Sequence, residues 1–184
     1  MYRQLGLSSD GDALAHHVVP VRHIQDTNGK QGVVMPAFQC SLDTPPYLNI
    51  EAIIAGVKEI TTAIKLLHSK GVTHNDIKPG NILLDSSGRW FLCDYGSCSH
   101  DGYDKEFNVC FTPAYVPFGM KLKPSEKLDF ILIAMTALVK LEGSPFSNMR
   151  ERLSIRTVLS AIDDIENFEL KSLLTALVDD IASV

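Results

Sequence analysis

His74-Asn75-Asp76-Ile77-Lys78-Pro79-Gly80-Asn81 is the stretch on which the reading of this chain turns. Asp76 carries a carboxylate that can accept a proton. Lys78, two residues on, lies on the same side of an extended loop and can meet a phosphate. Asn81 presents a carbonyl oxygen suited to a hard cation. Thirteen residues past Asn81, Asp94-Tyr95-Gly96 adds a second carboxylate followed by a glycine.

The flanking sequence predicts how these groups are carried. Ile50, Ile53, Ile54, Val57, Ile60, Ile64 and Leu67 recur at three- and four-residue spacing and predict one long amphipathic helix ahead of the loop. Asn49 is placed to cap its start, and Gly71 suits a left-handed position after its end. Residues 81–84 and 90–93 are short apolar pieces separated by Asp85-Ser86-Ser87-Gly88, which predicts a small hairpin between Asn81 and Asp94. Trp90, on its second strand, is expected to be half buried. Upstream, 17–24 and 31–38 read as strands joined through Asn28-Gly29, with Pro20 marking an edge or an irregularity. Downstream, Ser125 can cap a helix over 126–141 that is apolar almost all round and therefore central. Residues 153–165 and 168–181 read as closing amphipathic helices. The order gives an α+β fold, mainly helical with an N-terminal β-hairpin.

Composition bounds the rest. The chain has 184 residues, enough for one domain with a single core, and 45% of them are hydrophobic. A net charge of -5 argues against a general nucleic-acid or anionic-membrane binder. Cys40, Cys93, Cys98 and Cys110 form no Cys-x-x-Cys pair, and read as reduced thiols of an intracellular protein, cytoplasmic or nuclear. The longest apolar run, 130–139, falls well short of the ~20 residues that span a bilayer, and the N-terminus shows no secretory signal.

A proton acceptor, a phosphate-facing cation and oxygen ligands for a metal are what phosphoryl transfer requires. At this point the chain resembles the eukaryotic-type protein kinases. Residues 74–81 match the family string His-Arg-Asp-Leu-Lys-Pro-x-Asn at five of its seven defined positions, and Asp94-Tyr95-Gly96 is similar to Asp-Phe-Gly. Thr112-Pro113-Ala114-Tyr115-Val116-Pro117 resembles the segment that receives the substrate peptide. Asp129 resembles the aspartate that bonds back to the catalytic-loop backbone. The resemblance implies ATP and Mg²⁺ as cofactors and a protein substrate. Asp76 would be the catalytic base, Lys78 the phosphate contact, and Asn81 and Asp94 the metal ligands. Met35-Pro36-Ala37-Phe38 would form the end of a strand and the hinge, with Met35 as gatekeeper and Ala37 and Phe38 beside the adenine. Leu83 would pack beneath that ring. His74 and Tyr95 would join the hydrophobic stack of the family, and Thr112 would link the peptide-binding segment to the catalytic Asp and Lys, which points to Ser/Thr acceptors.

The departures are as specific. The sequence contains no Gly-x-Gly-x-x-Gly and no Ala-x-Lys ahead of a helical glutamate. Residues 1–43 then correspond to residual N-lobe strands and hinge, and 44–184 to a C-lobe, within one domain. Asn75 stands where the family has Arg, so switching through a phosphorylated segment at Ser97, Ser99, Tyr103 or Thr112 is not expected. Phe118-Gly119 replaces the family's Pro-Glu, removing the Glu that would pair with a late Arg; Arg156 is the candidate to hold the C-terminal helices together. Asp85, Asp101, Lys121 and Lys123 read as loop residues. Two readings follow: a Ser/Thr protein kinase, or a pseudokinase acting as an interaction module. In either, the surface left without N-lobe strands calls for a protein partner or a homo-oligomer. A small-molecule kinase of the choline or aminoglycoside type is disfavoured by Lys78-Pro79 and the Thr112 segment.

Overall fold

A computed structural model of the chain describes residues 7–25, 27–45, 47–100, 112–118, 120, 124–146 and 152–179. Cys110, Asp101, Tyr103, Gly119, Lys121 and Lys123 lie outside the described residues.

The long helix forms as its periodicity requires. Helix α2, Ile50–His68, buries Ile53, Val57, Ile60, Ile64 and Leu67, and Asn49 Oδ1 accepts from the Ala52 N–H at 2.9 Å. Gly71 follows with φ 66, the left-handed conformation glycine adopts without strain. Helix α3, Glu126–Lys140, starts at Ser125, whose hydroxyl accepts from Leu128 N–H, and is buried around almost its whole circumference. It packs against both α2 and α5 (Phe168–Val178), while α4 (Ile155–Asp163) lies against α3 and α5. The four helices share one core.

Both expected hairpins form, over 22–34 and over 82–92, and short strands that the pattern does not show join the β structure. Strands β1 (Arg22–Gln25) and β2 (Gln31–Val34) do pair antiparallel around Asn28-Gly29, with Arg22 opposite Val34. The expected strand over 17–24 is split at Pro20, which has no N–H and a fixed φ. Ahead of the proline, the chain runs parallel to β6 (Trp90–Leu92) instead: Val19 N–H donates to Leu92 O at 2.9 Å, and Leu92 N–H to His17 O at 2.8 Å. A short helix α1, Asp10–Ala15, precedes it and was not visible in the pattern, because six residues with one buried side chain show no periodicity. Strand β3 (Cys40–Ser41) pairs with β5 (Ile82–Leu84), and β5 with β6, in a three-stranded sheet. Strands β4 (Val72–Thr73) and β7 (Ser99–His100) form a further antiparallel pair.

Trp90 is fully buried rather than half buried. The reason is Gly56, in the middle of α2: a Cβ there would lie 2.1 Å from the indole ring. The missing side chain lets α2 close on β6, and the hairpin that separates Asn81 from Asp94 rests on that contact. Gly56→Ala gains about 1 kcal/mol of helix propensity, but overpacking typically costs about 1–3 kcal/mol and a 2.1 Å overlap with a rigid indole belongs at the upper end. Thermal denaturation of Gly56→Ala is therefore expected to show a lower midpoint than the wild type, by several degrees; an unchanged or raised midpoint contradicts this packing.

Candidate active site

The loop after β4 is held from below by one buried carboxylate. Asp129, in the first turn of α3 and 0% exposed, accepts from His74 N–H (2.8 Å) and Asn75 N–H (2.7 Å). The His68 imidazole of α2 meets the same carboxylate at 2.9 Å. These contacts match the role that the resemblance gave Asp129. The His74 ring is also fixed at both nitrogens. Nδ1 lies 3.3 Å from Asp76 N–H and Nε2 lies 3.1 Å from Cys93 O, so the neutral tautomer protonated at Nε2 fits both partners. Its ring meets Tyr95 edge-on at 5.8 Å, and the Tyr95 hydroxyl donates to Leu92 O at 2.6 Å.

On that base the polar groups of the loop converge. Asp76 Oδ2 accepts from Lys78 Nζ at 2.7 Å and from Asn81 Nδ2 at 3.0 Å, and Oδ1 accepts from Thr112 Oγ at 2.5 Å. Lys78 Nζ also donates to Thr112 Oγ at 2.7 Å. Thr112 is far from the loop in sequence, and the fold brings its hydroxyl between the carboxylate and the ammonium, the link that the resemblance implied for it. Asn81 Nδ2 also donates to Asp76 O at 2.8 Å, which directs the carbonyl Oδ1 elsewhere.

Asp94 lies across the β5–β6 hairpin, joined to the loop through Cys93 N–H and Asn81 O at 2.9 Å. It is exposed, in a left-handed conformation (φ 58), and among the described residues its carboxylate accepts from Gly96 N–H alone, at 3.3 Å. An exposed carboxylate and a carboxamide oxygen are both hard donors with few competing bonds, so this pair fits a Mg²⁺ ion that keeps water or phosphate in its other positions. Among the described residues no three His, Cys, Asp or Glu side chains are grouped to hold a metal by themselves.

The remaining expected residues divide. Phe38 and Leu83 belong to one small apolar cluster with Val19, Phe91 and Cys93, and the Phe38 and Phe91 rings stand 5.1 Å apart. Ala37 is exposed at the edge of this cluster. Met35 is not brought to it: it stays 46% exposed at the end of a hairpin whose two strands bury neither face. Burial pushes the Cys93 and Cys98 thiols up to about 12, with Asp94 adding to both and Asp129 to Cys98, so neither is a nucleophile at neutral pH.

Arg152 was missed. Its Nε donates to Val116 O at 2.9 Å and a terminal nitrogen to Pro117 O at 3.2 Å, with the guanidinium 5.9 Å from the Phe118 ring. It anchors the segment after Thr112 where a Glu–Arg pair was expected to be absent. Arg156, the residue singled out from sequence, is exposed on α4 with no ion pair among the described residues. Only the parallel bridge between Phe118 and Ser154 brings Arg152 there, and no local pattern announces it.

An aspartate, a lysine and an asparagine on one loop, with an Asp-Tyr-Gly across a hairpin and all of it tied to a buried helix, are the arrangement that the resemblance to protein kinases implies. The protein kinase domain family matches residues 30–123, just over half of the sequence, and the chain belongs to that family. It is 32% identical over 111 residues to the serine/threonine-protein kinase CHK1 of Mycosarcoma maydis, covering 54% of this chain and 17% of that protein. It is 32% identical over 106 residues to the cAMP-dependent protein kinase type 3 of Saccharomyces cerevisiae, covering 56% and 26%. With the phosphorylase b kinase gamma catalytic chain, liver/testis isoform, of Mus musculus it shares 30% over 113 residues, covering 56% and 28%. The matched part thus spans under a third of the length of each of these relatives. No helix among the described residues is long and apolar enough to cross a membrane.

Burial holds the His74 imidazole below its ordinary pKa, against the opposing charges of Asp129, Asp76 and Asp94. The folded state therefore resists protonation that the unfolded chain accepts near 6.5. The stability this group contributes is complete above that pH and is lost as pH falls below it. Thermal midpoints measured from pH 7 to pH 5 are expected to fall, and His74→Gln should flatten that slope; an equal slope in both proteins refutes the assignment.

Proposed function

We propose that this chain transfers the γ-phosphoryl group of Mg·ATP to a Ser or Thr hydroxyl of a protein, with Asp76 as the base. The observation that carries the reading is the bonded set Asp76–Lys78–Thr112–Asn81, in which a proton acceptor, a cation, a hydroxyl and a carboxamide meet at one place. A substrate hydroxyl entering beside Thr112 meets the Asp76 carboxylate, which orients it and takes its proton as the new O–P bond forms. Lys78 lies next to that carboxylate and can stabilise charge on the transferred group. Asn81 Oδ1 and Asp94 would hold Mg²⁺, which when bound neutralises charge on the phosphate oxygens. The apolar cluster of Phe38 and Leu83, with the chain of Met35 and Ala37 leading into it, offers a floor for adenine. Thr112, and the likeness to serine/threonine-protein kinases, favour hydroxyl acceptors of the Ser/Thr kind.

A second reading is favoured by a different observation. Ile24, Val33, Val34 and Met35 of the β1–β2 hairpin are about half exposed, and the sequence has no glycine-rich phosphate loop. Such a surface suits a protein partner or a second copy of the chain, and a pseudokinase would use it without turnover.

Mg·ATP at one hundred times its Kd should stabilise the wild type by about 2.7 kcal/mol, a shift of several degrees, and Asp94→Asn should lose most of it. Transfer of radiolabelled phosphate to a protein substrate should fall by about 10²–10⁴-fold in Asp76→Asn. The absence of any Mg·ATP stabilisation in the wild type would leave only the second reading.

A further inference from the structure

Asn75 sits between His74 and the proposed base, and nothing in the reaction above uses its side chain. That side chain is 0% exposed, and the backbone is left-handed at φ 69. Its Nδ2 reaches the stretch just beyond Asp94-Tyr95-Gly96, donating to Ser97 O at 2.9 Å and Ser99 Oγ at 3.0 Å, with Thr73 O at 3.3 Å. Thr73 and Ser99 close the ring through their hydroxyls at 2.7 Å, across the β4–β7 pair. Turning the amide over would set its oxygen against two carbonyls, so the orientation follows from the partners. The Oδ1 atom, by contrast, is buried with no hydrogen bond among the described residues. An amide whose donors are all used while its acceptor goes unsatisfied is kept for its donors.

We infer that Asn75 is a positioning residue: an uncharged clamp that fastens the strand following Asp94 to the catalytic loop, so that Asp94 and Asp76 keep their relative places without phosphorylation of the intervening segment. The clamp spans the two sides of the site. On one side, the Asn75 N–H is bound to Asp129 and the next residue is Asp76. On the other, Ser97 lies three residues after Asp94. Every bond of the Asn75 side chain joins neutral groups, and the Ser99 hydroxyl is buried and already engaged, so a phosphate is neither needed nor accommodated there. The roles of Asp76 and Asp94 in this inference rest on the kinase reading; the clamp itself does not.

Asn tolerates a left-handed φ, so the side chain could serve the backbone alone. Asn75→Gly separates the two, because glycine keeps that backbone conformation and removes the amide; Asn75→Asp keeps the shape and removes the donors. In both variants, amide hydrogen exchange over 97–100 should accelerate by at least about tenfold while α2 and α3 keep wild-type protection. The kcat for a protein substrate should fall by about tenfold or more with its KM unchanged, since misplacement of reacting groups acts on the chemical step. Phosphatase treatment of the wild type should leave kcat unaltered. Wild-type exchange at 97–100 in either variant overturns the inference, as does loss of wild-type activity on phosphatase treatment. If the wild type transfers no phosphate at all, the kinase reading fails while the exchange data still decide the clamp.

Discussion

The carboxylate of Asp129 is the constraint on which the site depends. It is fully buried, and a buried charge persists only when its desolvation is offset by well-directed donors. Here the donors are two consecutive backbone N–H groups of the His74–Asn81 loop and the His68 imidazole. Its position in the first turn of α3 adds the favourable end of the helix dipole. Loop, α2 and α3 are therefore locked together at one atom group. Asp76, one residue beyond the last donor, inherits its place from that lock.

From this anchor the geometry spreads through neutral contacts. His74 passes it to Cys93 O, and Cys93 N–H passes it to Asn81 O, so the two ends of the β5–β6 hairpin are held in register with the loop. Trp90, sunk against Gly56, fixes the hairpin on α2 from the other side. The segment after Thr112 is fastened differently. Arg152 grips two carbonyls and lies over Phe118, so a single cation holds this segment without the Glu–Arg pair that the sequence lacks. The hydrogen bonds and packing that fix the site thus come from the helical part and from the short sheets against it. The β1–β2 hairpin, exposed on both strands, contributes little to that rigidity.

What the sequence by itself determined was whatever is written in local periodicity and short motifs. The helices over α2 and α3, their caps at Asn49 and Ser125 and the turn glycine Gly71 follow from 3.6-residue repeats and from backbone groups that must be satisfied nearby. The loop from His74 to Asn81 and the Asp-Tyr-Gly identified the family because their side chains are spaced for one chemistry. Tertiary structure alone decided the rest, because it depends on which distant residues meet. Pro20 splits a strand so that one half pairs with β6, a partner some seventy residues away. Asn75 reaches Ser97 and Ser99 across 22 and 24 residues of chain. Arg152 finds the carbonyls of Val116 and Pro117. A side chain's type is fixed by sequence, but its hydrogen-bond partner is fixed only when the buried core brings two segments to within about 3 Å.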